Sequence, residues 1–473
     1  MMNVAVPNTP EEVLHRWMTS SDQLSVSADG SLMIEGISAA ELVKRFGSPL
    51  YVMSEATLRS NFRRIKAAFE TSWPAPVNVM YAIKANPNPS VRAILHEEGA
   101  GGDCFSLGEI QATFLGGADP KKIVVNGSYK PDDVIARAID LGLTINLDSE
   151  EEVDSVEAVA KRLGKAVRVG IRIKVLPEDY FRDFSSDCFK RPNFFQGMRR
   201  SKWGETAESA KRIIRRLIGH EHLKLFGYHT HIGRASRDPN MFGAIGTELA
   251  QIILSLYQDT HFAPSMIDLG GGWARERDPE SSGDVRNPHP IEDYAAAVCA
   301  PMLRIFSEGQ MPLPEIWLEP GRYLVGNAGV FLTTVGLIKR DQELGFTWVN
   351  VDSSTNNLLQ IDLFGYTYIA LAAAGMHRPL SQKVDLVGMT CVPSVFVRDC
   401  AMPELNAGDI IAVLDAGMYG EAKGYQFNSL PRPATALVSG KFSWLIRRRE
   451  TVDDVFATVV LPERFKQDEP RTP

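Results

Sequence analysis

The sequence predicts an α/β protein: a (β/α)8 TIM barrel followed by a separate all-β domain that also includes N-terminal strands. Three observations point there. From about residue 50, short apolar runs rich in β-branched residues alternate with segments of helical period. Eight such units fit into about 270 residues, the usual size of a closed barrel. After residue 322 the helical segments give way to strand-like runs separated by Pro, Gly and Asn turns.

Taken in order, the barrel strands are expected at residues 77–84 (VNVMYAIK), 101–106 (GGDCFS), 122–127 (KIVVNG) and 143–148 (LTINLD). The remaining four are expected at 166–174 (AVRVGIRIK), 225–233 (LFGYHTHIG), 265–272 (SMIDLGGG) and 315–321 (EIWLEPG). Near-continuous apolar strands suit parallel pairing buried on both faces. NPSVRAILHEEG, KPDDVIARAIDLG and SEEEVDSVEAVAKRLG read as intervening helices, the last with Ser149 as its N-cap. A doubly wound open sheet is the alternative, and the count of eight favours closure. The division is therefore 1–50, a segment contributing strands such as SLMIEG and PLYVM to the β domain; 51–322, the barrel; and 323–473, the β domain. Strands of that domain are expected in VFLTTVGLIKR, TWVNVDSS, KVDLVGMTC, DIIAVLD, ATALVSG and FATVVL. Residues 177–204 interrupt the barrel after strand five without clear period, and long loops on that face usually serve function.

Bulk properties exclude several function classes. A net charge of −7 gives no nucleic-acid footprint. The N-terminus MMNVAVPNTPEEVLHRW lacks the apolar core of a signal peptide, and no run approaches the ~18 apolar residues of a membrane span. Five scattered cysteines without CxxC spacing suit free thiols in a reducing cytoplasm better than a disulfide framework or a zinc site. The expectation is a soluble cytoplasmic protein.

A barrel gathers its functional residues at the C-terminal ends of its strands. Here those ends carry Lys84, Asp103, Ser106, Asn126, Arg172, His229, His231, the glycines Gly270 to Gly272, and Glu319 to Arg322. Any one of them alone is more simply a core or loop residue. Charged and glycine residues ending most strands of one barrel are hard to explain as packing. The glycines after strand seven let backbone N–H groups approach an anion, Arg322 adds charge after strand eight, and these two loops commonly hold phosphate in barrels. A lysine across the barrel from a phosphate site suggests pyridoxal phosphate held as a Schiff base. His229 and His231, two apart on a strand, share a face; spacing suggests no third metal ligand, so no metal is expected.

In order along the chain stand YAIKAN, GGDCFSLGEI, SKWGE, HTHIG, DLGGGW, EPGRYLVG, CVPSV, GDIIAVLDAGMYG and FNSLPRP. Over roughly residues 40 to 435 the chain resembles the pyridoxal-phosphate-dependent ornithine, diaminopimelate and arginine decarboxylases, which use an alanine-racemase-like barrel. The resemblance implies pyridoxal 5'-phosphate linked to Lys84, an amino-acid substrate, and a homodimer whose two active sites are shared across the interface. It implies that His231 lies flat on the cofactor ring, that Glu319 keeps the ring nitrogen protonated, and that Asp103 orients groups near Lys84. It further implies that Arg172, Gly271, Gly272, Gly321 and Arg322 line the cofactor and that Tyr419 reaches the partner's phosphate. Cys391 resembles the cysteine that enters from the partner and protonates Cα.

The family pattern fails in places that bear on substrate. Relatives follow the cysteine with an acid that binds the distal amine, where this chain has Val392. Diaminopimelate decarboxylases grip the distal carboxylate with an arginine, where this chain has Gln360; Arg234 stands where relatives carry a small hydroxyl residue. Asp352, near the family's other amine-binding acid, is retained and suits either substrate contact or a turn. Losing charge-assisted contacts should weaken an ordinary diamino acid. The expectation is a divergent decarboxylase of specialised biosynthesis acting on an amino acid conjugated, anionic or apolar at its distal end. A true meso-diaminopimelate decarboxylase of lysine biosynthesis is the nearest alternative. A racemase is disfavoured by Glu319, and an inactive regulator by the retention of Lys84, His231, Glu319 and Cys391.

Overall fold

The computed structural model describes residues 6–177, 199–231, 233, 237–277, 286–358, 361, 367–393 and 395–465. All eight barrel strands form where the apolar runs predict them, each shorter than its run. They are Val77–Ala82, Gly101–Cys104, Ile123–Val125, Thr144–Leu147, Val167–Arg172, Leu223–His229, Met266–Asp268 and Glu315–Leu318, called strands one to eight below. Every pairing is parallel, and strand eight closes on strand one through Ile316↔Val77, Trp317↔Asn78 and Leu318↔Val79. Closure leaves no sheet edge and puts all eight C-terminal ends around one mouth.

Local chemistry sets the helices between strands. Pro89–Glu97 starts at Asn88, whose side chain accepts the Ser90 N–H, and Asp132–Leu141 stops at Gly142 in the left-handed conformation. Ser149 is not a cap: the helix begins at Glu152 with Glu151 preceding it, and Glu152 turns back to accept the Asp148 N–H at 2.9 Å.

The second unit is a nine-stranded, mostly antiparallel sheet with short helices. Leu50–Ser54 lies inside it, antiparallel to Gly329–Asp341 and parallel to Ala434–Ser439, so the strand expected in PLYVM joins this sheet but runs past the boundary drawn at residue 50. SLMIEG does not join: Leu32–Ile34 pairs with Leu24–Val26 and Ile37–Ser38 in a small sheet of its own. FATVVL is not a strand either. Phe456 ends the helix Val452–Phe456, and Val459, Val460 and Leu461 are exposed, with no strand beside them to pair with. The sheet edge is instead Phe442–Arg447, whose apolar residues face solvent and so carry no burial pattern.

A buried ion network joins these units. Arg277, in the loop after strand seven, bonds Asp415 of the β domain at 2.5 Å, Asp22 of the N-terminal segment at 2.7 Å and the Trp17 carbonyl at 2.6 Å. Arg275 adds a second contact to Asp415 at 2.9 Å. Among the described residues no helix is long and apolar enough to cross a membrane.

Candidate active site

The polar residues at the barrel mouth converge on one cavity of about 340 Å³. Lys84, Phe105, Asn126, Arg172, Trp203, His229, His231 and Glu319 are among its walls. Lys84 and Glu319 sit just past their strands, and Arg172 is the last residue of strand five. Lys84 lies in a one-turn 3-10 segment, Ile83–Ala85, and its ammonium donates to Asp103 at 2.5 Å. Burial opposes the Lys84 charge, but Asp103, then Glu319 and Tyr419, outweigh it and raise the pKa.

Beneath Lys84 runs a polar floor. Asn146 of strand four donates to Asn126, and Asn126 donates to both Asp103 at 2.8 Å and Glu319 at 2.5 Å. Glu319 also lies 3.4 Å from Nε2 of the buried His229. Burial, with Glu319 next, pushes the Asp268 carboxyl well up, so Asp268 keeps its proton; its other oxygen accepts the Gly270 N–H at 2.9 Å. Burial works against the charge on Glu319, yet His229, Lys84 and Asp268 outweigh it and hold the pKa below the usual carboxylate range. Burial lowers the pKa of His229 itself. A fully enclosed imidazole is the costlier cation, so His229 is best described as neutral and Glu319 as the anion, supported by neutral donors.

The glycine run is used for close approach. A Cβ on Gly272, at φ +88°, would lie 1.9 Å from the Gly233 carbonyl oxygen, so the loops after strands six and seven touch backbone to backbone. Gly233 N–H donates to the Gly271 carbonyl at 3.1 Å across the same contact. Gly321 packs on Ala85 beside the Lys84 turn, and Arg322 opens the short helix Arg322–Val325. Burial, then the charge of Arg322, lowers the pKa of Lys423, which stacks over Tyr419 at 5.1 Å.

Other expected residues are placed differently. Strand six stops at His229, so His229 and His231 do not share a strand face. Both line the cavity, His229 buried and His231 exposed; desolvation, then Lys84 and Arg172, lowers the pKa of His231. Ser106 is a helix cap, accepting the Glu109 N–H at 3.3 Å. Tyr419 donates its backbone N–H to Ala85 at 2.7 Å, beside its own chain's Lys84, which conflicts with a reach toward a partner. Asp352 accepts the Thr333 hydroxyl at 2.7 Å and the Thr334 N–H at 2.9 Å, which is a strand-pairing role. Cys391 is exposed, Val392 half-buried, and neither lines the cavity of its own chain. Arg234, Gln360 and residues 178–198 of the 177–204 segment lie outside the described residues. That segment leaves and returns at one point, where Lys174 N–H bonds the Glu205 carbonyl and Glu205 N–H bonds the Arg172 carbonyl, both at 2.8 Å.

Sequence reasoning missed the support beneath the site. His229, Asp268 and Glu319 bring a nitrogen and two carboxylate oxygens within 4.8 Å, a third potential ligand that spacing did not suggest. Asp268 directly precedes the glycine run, which was the available signal.

Barrel, β domain, cavity lysine and buried facing carboxylate define a class: barrel enzymes that work with a pyridoxal cofactor. The profile of the family described as pyridoxal-dependent decarboxylase, pyridoxal binding domain, matches residues 55–326, more than half of the chain. The chain belongs to that family of pyridoxal-phosphate-dependent decarboxylases. It is 33% identical to the diaminopimelate decarboxylase of Methanothermobacter thermautotrophicus over 447 residues, covering 93% of this chain and 98% of that relative. Among solved structures, the M. jannaschii diaminopimelate decarboxylase in complex with L-lysine superposes with a TM-score of 0.86 at 29% identity, covering 95% of this chain and all of that one. The Helicobacter pylori enzyme, also with L-lysine, gives a TM-score of 0.76 at 25% identity, covering 88% of this chain and 98% of that one.

Proposed function

We propose that this decarboxylase acts on an α-amino acid whose distal end is not cationic, as a homodimer whose active sites are completed across the interface. The observation carrying the substrate reading is Val392, an apolar side chain where the family resemblance calls for an acid beside the cysteine. A terminal ammonium brought to that position loses its counter-charge, and burying a charge unpaired costs several kcal/mol.

The donor set fits pyridoxal phosphate: an amine, an ionised carboxylate and an imidazole of lowered basicity surround one cavity of about 340 Å³. When bound, that cofactor supplies the electron sink for the carbanion left as CO2 departs. Lys84 would hold it covalently, with Asp103 orienting the amine. Glu319, kept anionic by Asn126, His229 and Asp268, would hold a proton on the ring nitrogen. His231 would lie against the ring, with Arg172 at its side, and Gly271, Gly272, Gly321, Arg322 and Tyr419 would receive the phosphate end. Cys391, exposed and outside its own chain's cavity, suits delivery of a proton to Cα in the partner's site.

Val392→Glu tests the substrate reading. The kcat/KM ratio of L-lysine to L-norleucine, read by CO2 release, should rise at least about tenfold, or about 1.4 kcal/mol. An unchanged ratio in a variant that still releases CO2 would count against Val392 as the cause. The activity in the relatives' names, decarboxylation of diaminopimelate, is the competing reading, and the native enzyme's rate on that compound decides between them.

A further inference from the structure

We infer that Lys174 is a specificity-determining residue that, with Trp203, forms a subsite for a substrate tail ending in a carboxylate. This rests on the proposal that the cavity decarboxylates an α-amino acid, and it commits that proposal to one tail chemistry.

The barrel geometry sets the direction. Strands one and five are four places apart in a closed ring of eight, so Lys84 and the end of strand five face each other across the mouth. With the reacting end of a substrate held at Lys84, its side chain extends toward the opposite wall. That wall is Ile173, Lys174, Val175 and Leu176, with Ser201 and Trp203 from the returning segment.

The charges on the cavity wall are unequal in their pairing. Lys84 has Asp103 at 2.5 Å, and Arg172 has Asp148 at 3.5 Å. Glu319 is held by Asn126 and His229. Lys174 has only carbonyls: its ammonium donates to Ser201 at 2.8 Å and Arg199 at 3.4 Å, and among the described residues no carboxylate pairs with it. An ammonium has three donors, so one remains for the cavity. A half-buried cation without a counter-charge is stabilised by an anionic ligand, and charge-assisted hydrogen bonds are the stronger kind. Two further cations, Arg172 and Lys202, each lie 4.5 Å from the Trp203 ring, so Trp203 gives the methylene stem of a tail an apolar surface in a positive setting. The competing explanation is that Lys174 only tethers the returning segment through those two carbonyls.

L-2-Aminoadipate, L-norleucine and L-lysine share a six-carbon chain and end in a carboxylate, a methyl and an ammonium. Each is titrated into the holoenzyme while the cofactor absorbance band is followed. The expected order of affinity is aminoadipate, norleucine, lysine, with at least about tenfold between first and last. Lys174→Met should reduce the aminoadipate-to-norleucine preference at least about fivefold, and Lys174→Arg should retain it. A ratio unchanged within about twofold in Lys174→Met, or equal weakening of all three ligands as a tether predicts, overturns the assignment. If the wild type instead binds L-lysine about tenfold tighter than aminoadipate, the non-cationic substrate reading itself fails, whatever Lys174 does.

Discussion

Glu319 keeps its charge where burial alone would remove it, and the groups that hold it come from three different strand ends. Asn126, His229 and Asp268 each contribute, so the anion is a property of the assembled mouth. Glu319→Gln should therefore leave a folded, cofactor-binding protein whose kcat falls at least about a hundredfold, or ~2.7 kcal/mol. A loss below about tenfold would mean that the ring nitrogen does not depend on this carboxylate. At this scale the sequence revealed the residues that end strands, because charge and glycine stand out against apolar runs. It did not reveal their supports. Asp268 looks like an ordinary strand residue, and only closure of the barrel brings it and His229, from the ends of strands seven and six, to Glu319. Asp352 shows the opposite limit: an acid near a family position is used here for pairing Thr333 and Thr334.

At the scale of elements, the loop after strand seven does two jobs with neighbouring residues. Gly272 lets it touch the strand-six loop, and Arg277 fastens it to Asp22 and Asp415. Removing one member of a buried network strands the others, so Arg277→Met should destabilise by ~3–5 kcal/mol. Arg448→Met breaks an exposed pair with Asp454 and should change stability by only ~0–1 kcal/mol. Paired thermal melts measure both, and equal effects would contradict a structural role for the Arg277 network. Eight barrel strands were legible because burial on both faces forces continuous apolar runs. The edge strand Phe442–Arg447 was not, since half-solvated strands lack that signature, and FATVVL misled because apolar composition without a pairing partner makes no strand.

At the scale of the whole molecule, Cys391 is exposed and does not line its own chain's cavity, which is what the proposed site shared between two chains requires. Mixing inactive Lys84→Ala with inactive Cys391→Ala subunits should restore CO2 release in heterodimers, which contain one site with both residues. No recovery after verified subunit exchange would rule out a shared site. The family and cofactor were legible from ordered motifs, but the substrate was not. In the proposed reading its recognition rests on Val392 and on a cation, Lys174, with which no carboxylate pairs among the described residues, and that pairing is visible only in three dimensions. The most direct measurement of the central claim is kcat/KM, by CO2 release, for meso-diaminopimelate, L-lysine, L-norleucine and L-2-aminoadipate on the native enzyme. The expected result is that both amino acids with a distal ammonium fall at least about tenfold below the best of the others. Preference for meso-diaminopimelate by the same margin would contradict the account and make this chain a diaminopimelate decarboxylase like its relatives.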